Sequence, residues 1–199
     1  LTDADSNVVV GGNALTSDTL GSRTTAIGKD ALANQNFTTA TNTYNVAVGF
    51  SAGVAVTTGI NNTLIGAAAG DALTDADTNV AVGGFALTND TLGSKSVAIG
   101  HSALEAQNFT TATNTHNTAV GDNVGKAITT GVQNTLMGSA AGDALTVGGN
   151  NVALGYASLT TDTAGSSSIA IGALALLSQN FTTAFTSHNI AIGDQAGRN

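Results

Sequence analysis

The segment Gly49-Phe50-Ser51-Ala52-Gly53 has the Gly-x-Ser-x-Gly spacing of a nucleophile elbow, in which a serine on a strained strand-to-helix turn attacks an acyl carbon. That chemistry needs a histidine and an acid beside the serine. The same window recurs as Gly121-Asp122-Asn123-Val124-Gly125 and Gly193-Asp194-Gln195-Ala196-Gly197, without serine, so Ser51 reads as a turn residue and no catalytic residue is assigned. The spacing also imitates the Gly-x-x-x-Gly contact of membrane helices, but no apolar 20-mer surrounds it.

Other groups that could do chemistry are equally dispersed. Of thirteen acids only Glu105 is Glu, and the Asp residues recur singly among turn residues, where a carboxylate caps backbone N–H groups. Asp3 with Asp5, and Asp75 with Asp77, are the nearest approach to a calcium site, since hard cations want several oxygens. Val147-Gly148-Gly149 replaces that segment in its third occurrence, so no metal and no cofactor is expected. His101, His116 and His188 lack metal-ligand spacing, and the latter two occupy the place of Tyr44, which suits a surface or stacking ring.

Composition narrows the function classes. The 199 residues include 25 Gly but no Pro, Cys or Trp, with 9% charged and a net charge of −8. Five Lys and Arg residues cannot furnish a basic patch for phosphate backbones or anionic membranes, so nucleic acid is excluded as an expected partner. No apolar run reaches the length of a membrane helix and no targeting signal is visible, so no membrane insertion is expected in this segment.

What positions these residues is a repeat. Asn7, Asn79 and Asn151 are equivalent, as are Phe37, Phe109 and Phe181, so the residue number advances by 72 from each copy to the next. The chain therefore reads as one array over 1–199, with copies at 7–78 and 79–150 and a partial copy at 151–199. Leu1-Thr2-Asp3-Ala4-Asp5 matches Leu73-Thr74-Asp75-Ala76-Asp77, so a fragment of a longer fibre is expected. Within each period the motif Asn-x-Ala-(Val/Ile)-Gly recurs. Its glycines are Gly11, Gly28, Gly49, Gly66 and Gly83 and their equivalents through Gly193, the steps between them being 17, 21, 17 and 17 in turn. Four residues after each stands Leu, Leu, Gly and Gly in turn.

Such a unit is too short for two helices and a turn, and a β-branched run bounded by Gly and Asn predicts a short strand. One unit should be one coil, giving an all-β parallel β-solenoid of about eleven coils. Positions one and three before the glycine are large and apolar or Thr, and position two is mostly Ala. The large face is expected to fill the coil and the Ala face to meet partner chains in a homo-oligomer. A stacked ladder should satisfy the short polar residue four before the glycine. The residues expected to hold the coils together are Asn45, Gly49, Asn62, Gly66, Asn79, Gly83, Asn117, Gly121, Asn189 and Gly193.

The longer unit, which runs from Gly28 to Gly49 in the first period, offers the best binding candidate. Its segment Asn36-Phe37-Thr38-Thr39 recurs as Asn108-Phe109-Thr110-Thr111 and Asn180-Phe181-Thr182-Thr183. An aromatic ring with neighbouring hydroxyls suits a host-cell surface glycan or protein, although three faithful copies also suit a ring that plugs a structural gap.

The units Asn45-Val46-Ala47-Val48-Gly49-Phe50-Ser51-Ala52-Gly53 and Thr57-Thr58-Gly59-Ile60-Asn61-Asn62-Thr63-Leu64-Ile65-Gly66 resemble repeats of phage tail fibres and of the heads of trimeric autotransporter adhesins. The resemblance covers nearly the whole chain and implies that the homo-oligomer is a homotrimer, a left-handed β-roll used as scaffolding. Both coil lengths found here exceed that of the adhesin pattern. The function expected is a non-catalytic, extracellular attachment segment, first a virion tail fibre and second a bacterial surface adhesin head. An ice-binding solenoid is the alternative of another class, suggested by pairs such as Thr57-Thr58 and Thr129-Thr130.

Overall fold

The computed structural model describes residues 5–198. Its main element is a single parallel sheet of eleven short strands, one per coil. They are Val8–Val10, Thr25–Ile27, Val46–Val48, Thr63–Ile65, Val80–Val82, Val97–Ile99, Thr118–Val120, Thr135–Met137, Val152–Leu154, Ile169–Ile171 and Ile190–Ile192. Every strand pairs level with the next, as in Val46↔Thr63, Ala47↔Leu64 and Val48↔Ile65. The chain is thus the expected all-β solenoid of about eleven coils, and at roughly 4.8 Å per coil the stack spans about 50 Å.

Tight turns make so short a coil feasible. In each coil the motif glycine and the residues five before, two after and four after it have positive φ, as in Tyr44, Gly49, Ser51 and Gly53. Ser51 is therefore one of a column of left-handed turn residues with Asn123 and Gln195. The motif glycines stack directly. A Cβ on Gly83 (φ +135°) would lie 2.4 Å from the Gly100 carbonyl oxygen, so no larger residue fits that column.

The interior corrects the assignment of faces made from side-chain size. From the second strand to the tenth the centre residues point inward and are fully buried, including Ala26, Ala47, Ala81, Ala98, Leu64 and Leu136. The flanking Val, Ile, Thr and Met residues point outward, and Met137 is 50% and Ile192 68% exposed. The reason is cross-section: so small a coil has room for Ala in the strand because other positions supply the bulk.

Those positions alternate. In the first two coils of a period a Leu four after the glycine, such as Leu32 or Leu104, fills the core. In the other two that place is Gly, and the residue seven after the motif glycine, Val56, Leu73, Ile128 or Leu145, fills it instead. A Cβ on Gly53 would lie 2.6 Å from Leu64 Cδ1 and one on Gly70 2.8 Å from Leu64 Cδ2. The Leu, Leu, Gly, Gly order thus makes space for the larger Leu64 in its strand.

Candidate interaction surfaces

The polar interior fixes the loops. Asn62 donates from Nδ2 to the Ala76 carbonyl at 2.7 Å, and its Oδ1 accepts from the Asn79 N–H at 2.9 Å. Asn79, Asn134 and Asn151 repeat the pattern, which joins each coil to the next through side chain and backbone. Asn45 and Asn117 also donate to Gln35 and Gln107. Asn189 donates to Gln179 at 2.7 Å.

Thr24, Ser96 and Ser168 replace Asn at the start of each longer coil, and the shorter side chains admit Gln35, Gln107 and Gln179. Each Gln also donates to an Asp of the preceding coil, with Gln35 Nε2 2.7 Å from Asp18 Oδ2. Asp90 is fully buried and accepts from the N–H groups of Gly93 (3.1 Å) and Phe109 (2.9 Å) and from Gln107 Nε2 (2.5 Å). Asp18 and Asp162 repeat this clamp. No buried polar side-chain atom is left without a partner among the described residues. Sequence reasoning missed this Asp–Gln pair, whose only signal was its recurrence in every period.

The clamp anchors the segments singled out for binding. Their extra residues form small parallel ladders, Gly21–Ser22 with Thr41–Asn42, Gly93–Ser94 with Thr113–Asn114, and Gly165–Ser166 with Phe185–Thr186. Phe37 and Phe109 turn inward and are 6% and 7% exposed, while Thr38, Thr39, Thr110 and Thr111 face solvent. Phe181 is half-buried and stacks on the exposed Phe185 at 4.8 Å, with Thr182 and Thr183 exposed beside it. The candidate surface is therefore a polar Thr-rich loop over a ring that is buried in the first two copies and half-buried in the third.

The remaining candidates separate. Asp3 lies outside the described residues, Asp75 accepts from the Thr58 hydroxyl at 2.6 Å, and Asp77 accepts from the Ile60 N–H at 2.7 Å. No cluster of three metal-ligating side chains occurs among the described residues. His116 and His188 are exposed in the left-handed column of Tyr44, while His101 lies 3.6 Å from Asp122. Thr57, Thr74, Thr129 and Thr146 stack in a column, and each hydroxyl donates to a carbonyl of the next coil.

The outward strand face carries two ranks of mostly Val and Ile running along all eleven strands. The Ala face is closed inside the coil and cannot meet a partner, so any contact between chains made by the sheet falls on the Val and Ile ranks. Comparison with protein-family models, curated proteins and solved structures gave no match. The fold and surface define the class, a parallel β-solenoid repeat protein.

Proposed function

We propose that this chain is a non-catalytic segment of an extracellular attachment fibre, a phage tail fibre in the first place, in which three copies cover one another's apolar strand faces. The carrying observation is that face. A continuous apolar strip about 50 Å long is a surface that burial at ~25 cal/mol per Å² favours covering. A stack of near-identical coils suits a rigid spacer, and the exposed Thr-rich loops at three levels suit recognition of a host-surface glycan or protein. A bacterial adhesin head would use the same architecture in the same way. The ice-binding alternative is weakened because the hydroxyls of the Thr column already serve as inter-coil donors.

Light scattering tests the assembly. A mass near three chains is expected, and Ile99→Asp, on the outward face, should reduce it while far-ultraviolet circular dichroism stays that of a sheet. A monomeric native protein refutes the covered face. Binding of labelled protein to an array of bacterial surface polysaccharides tests attachment, with Thr110→Ala/Thr111→Ala expected to weaken it at unchanged mass.

A further inference from the structure

Five asparagines stand in the order Asn-x-Thr with no proline between, the arrangement that N-linked glycosylation requires of its acceptor: Asn36, Asn61, Asn89, Asn108 and Asn180. In a chain so rich in Asn and Thr that order arises readily by coincidence, and structure separates the cases. Asn61 is Gln133 in the next period, and its Thr63 lies inside the main sheet, paired with Val46 and Val80. Asn89 is Ser17 and Thr161 in the other periods, and its Nδ2 donates to the Glu105 carbonyl at 2.9 Å.

Asn36, Asn108 and Asn180 behave differently. The stretch Gln35-Asn36-Phe37-Thr38-Thr39-Ala40 is identical in all three periods, although the residues on either side change, Asn34 becoming Ala106 and Ser178 and Thr41 becoming Phe185. Burial accounts for Gln35, in the clamp, and for Phe37, beneath the loop. It does not account for Asn36 and Thr38, which are exposed, as are their equivalents. With the ring turned inward, the amide before it and the hydroxyl after it face out together. Thr19, Thr91 and Thr163 of the preceding coils donate to the three Oδ1 atoms at 3.4, 3.3 and 3.3 Å, which aims each Nδ2 away from the coil. Among the described residues those Nδ2 atoms donate to no protein group, and the N–H groups of Thr38, Thr39 and Ala40 donate to no backbone carbonyl.

We infer that Asn36, Asn108 and Asn180 are acceptor sites for an N-linked sugar. In the transfer Nδ2 bonds to the anomeric carbon of a sugar carried on a diphosphate. The bond from that carbon to the diphosphate oxygen breaks, the diphosphate leaves with the electron pair, and the amide gives up one proton. The donor is a nucleotide-linked or lipid-linked sugar, and a separate glycosyltransferase supplies the catalysis. A bulky, hydrophilic group of this kind belongs on an exposed loop. Each site lies midway along the chain between two main-sheet strands, as Asn108 does between Val97–Ile99 and Thr118–Val120, so a partner on the strand face leaves it open. Successive sites are four coils apart, about 19 Å, which keeps neighbouring sugars separate. The inference needs neither the attachment role nor the oligomer.

Intact mass and peptide mapping of the protein isolated from its natural source test it. Sugar is expected on Asn36, Asn108 and Asn180 and not on Asn61 or Asn89. A single hexose marks a nucleotide-linked donor, and a preassembled oligosaccharide marks a lipid-linked one. Made in the same source, Asn108→Gln and Thr110→Ala should each lose one adduct, while Thr110→Ser and Thr111→Ala should keep all three, with folding checked by circular dichroism. Asn108→Gln also separates this role from recognition, since it removes the sugar and keeps the Thr110 and Thr111 hydroxyls. Three unmodified asparagines, or sugar on Asn61 or Asn89 in equal yield, overturn the inference and leave the attachment reading standing.

Discussion

Two adjacent glycines permit a stringent test of why the motif glycine cannot vary. In Gly83→Ala the new methyl would sit 2.4 Å from the carbonyl oxygen of Gly100 and 2.6 Å from its carbon, on a backbone with φ of +135°. In Gly84→Ala it would meet nothing closer than His101 Cδ2 at 3.7 Å. Holding a residue with a side chain in that region of φ costs about 1–3 kcal/mol. Relieving the clash also forces neighbouring coils apart. The nearby ladder bonds Gly83 N–H to Ile65 O and Gly100 N–H to Val82 O, both 2.7 Å, are each worth about 1 kcal/mol. The sum is about 3–5 kcal/mol for Gly83→Ala. Gly84→Ala should be neutral or stabilise by up to about 1 kcal/mol through the unfolded chain. Because a solenoid is stabilised neighbour by neighbour, the defect should be local before it is global. Urea denaturation gives the overall loss, and hydrogen exchange should show protection falling first in Val80–Val82 and Val97–Ile99. Equal unfolding midpoints for the two variants would refute the stacking argument.

The buried clamp and the amide ladder make further tests. Asp90→Ala leaves the Gly93 and Phe109 N–H groups and Gln107 without their acceptor, and a loss of about 2–4 kcal/mol with early protease cutting near Phe109 is expected. Asn62→Ala strands the Ala76 carbonyl and the Asn79 N–H and should cost about 2–4 kcal/mol by urea denaturation, whereas the exposed Asn34→Ala should change stability by less than about 0.5 kcal/mol. Phe109→Ala should cost about 3 kcal/mol as a buried ring, while Thr110→Ala and Thr111→Ala should leave the midpoint unchanged; the reverse order would mean that the ring is no plug.

The parts legible in the sequence are those fixed by backbone periodicity. The regular order of short and long steps between glycines locates every strand, and Asn four before the glycine announces a ladder because a side chain recurring from coil to coil must meet its copies. Direction was not legible. Val46 and Val48 alternate with Ala47, and either set makes a credible interior; only the cross-section of a closed coil decides, since Leu32, Val56 and Leu73 supply the bulk from outside the strand. Nor was the clamp legible, because Asp18 and Gln35 are ordinary turn residues until two coils are stacked and their side chains lie 2.7 Å apart. The same limit governs Phe37: residue type does not say whether a ring recognises a ligand or closes a gap, and its 6% exposure assigns the ring to the interior and the adjacent hydroxyls to solvent.

The interior therefore leaves the strand face and its edges as the places where this chain differs from a bare stack of coils. Structural constraint explains why the inward Ala, Leu and Asn positions repeat so closely, since each must match the coil above and below. It bears less on the exposed position five before the glycine, where Arg23, Tyr44, Lys95 and His116 share a left-handed backbone with Asn61 and Asn150. Side-chain type is therefore free to vary at that geometrically fixed position, within local contacts such as the donation from Arg23 to the Tyr44 hydroxyl at 2.8 Å.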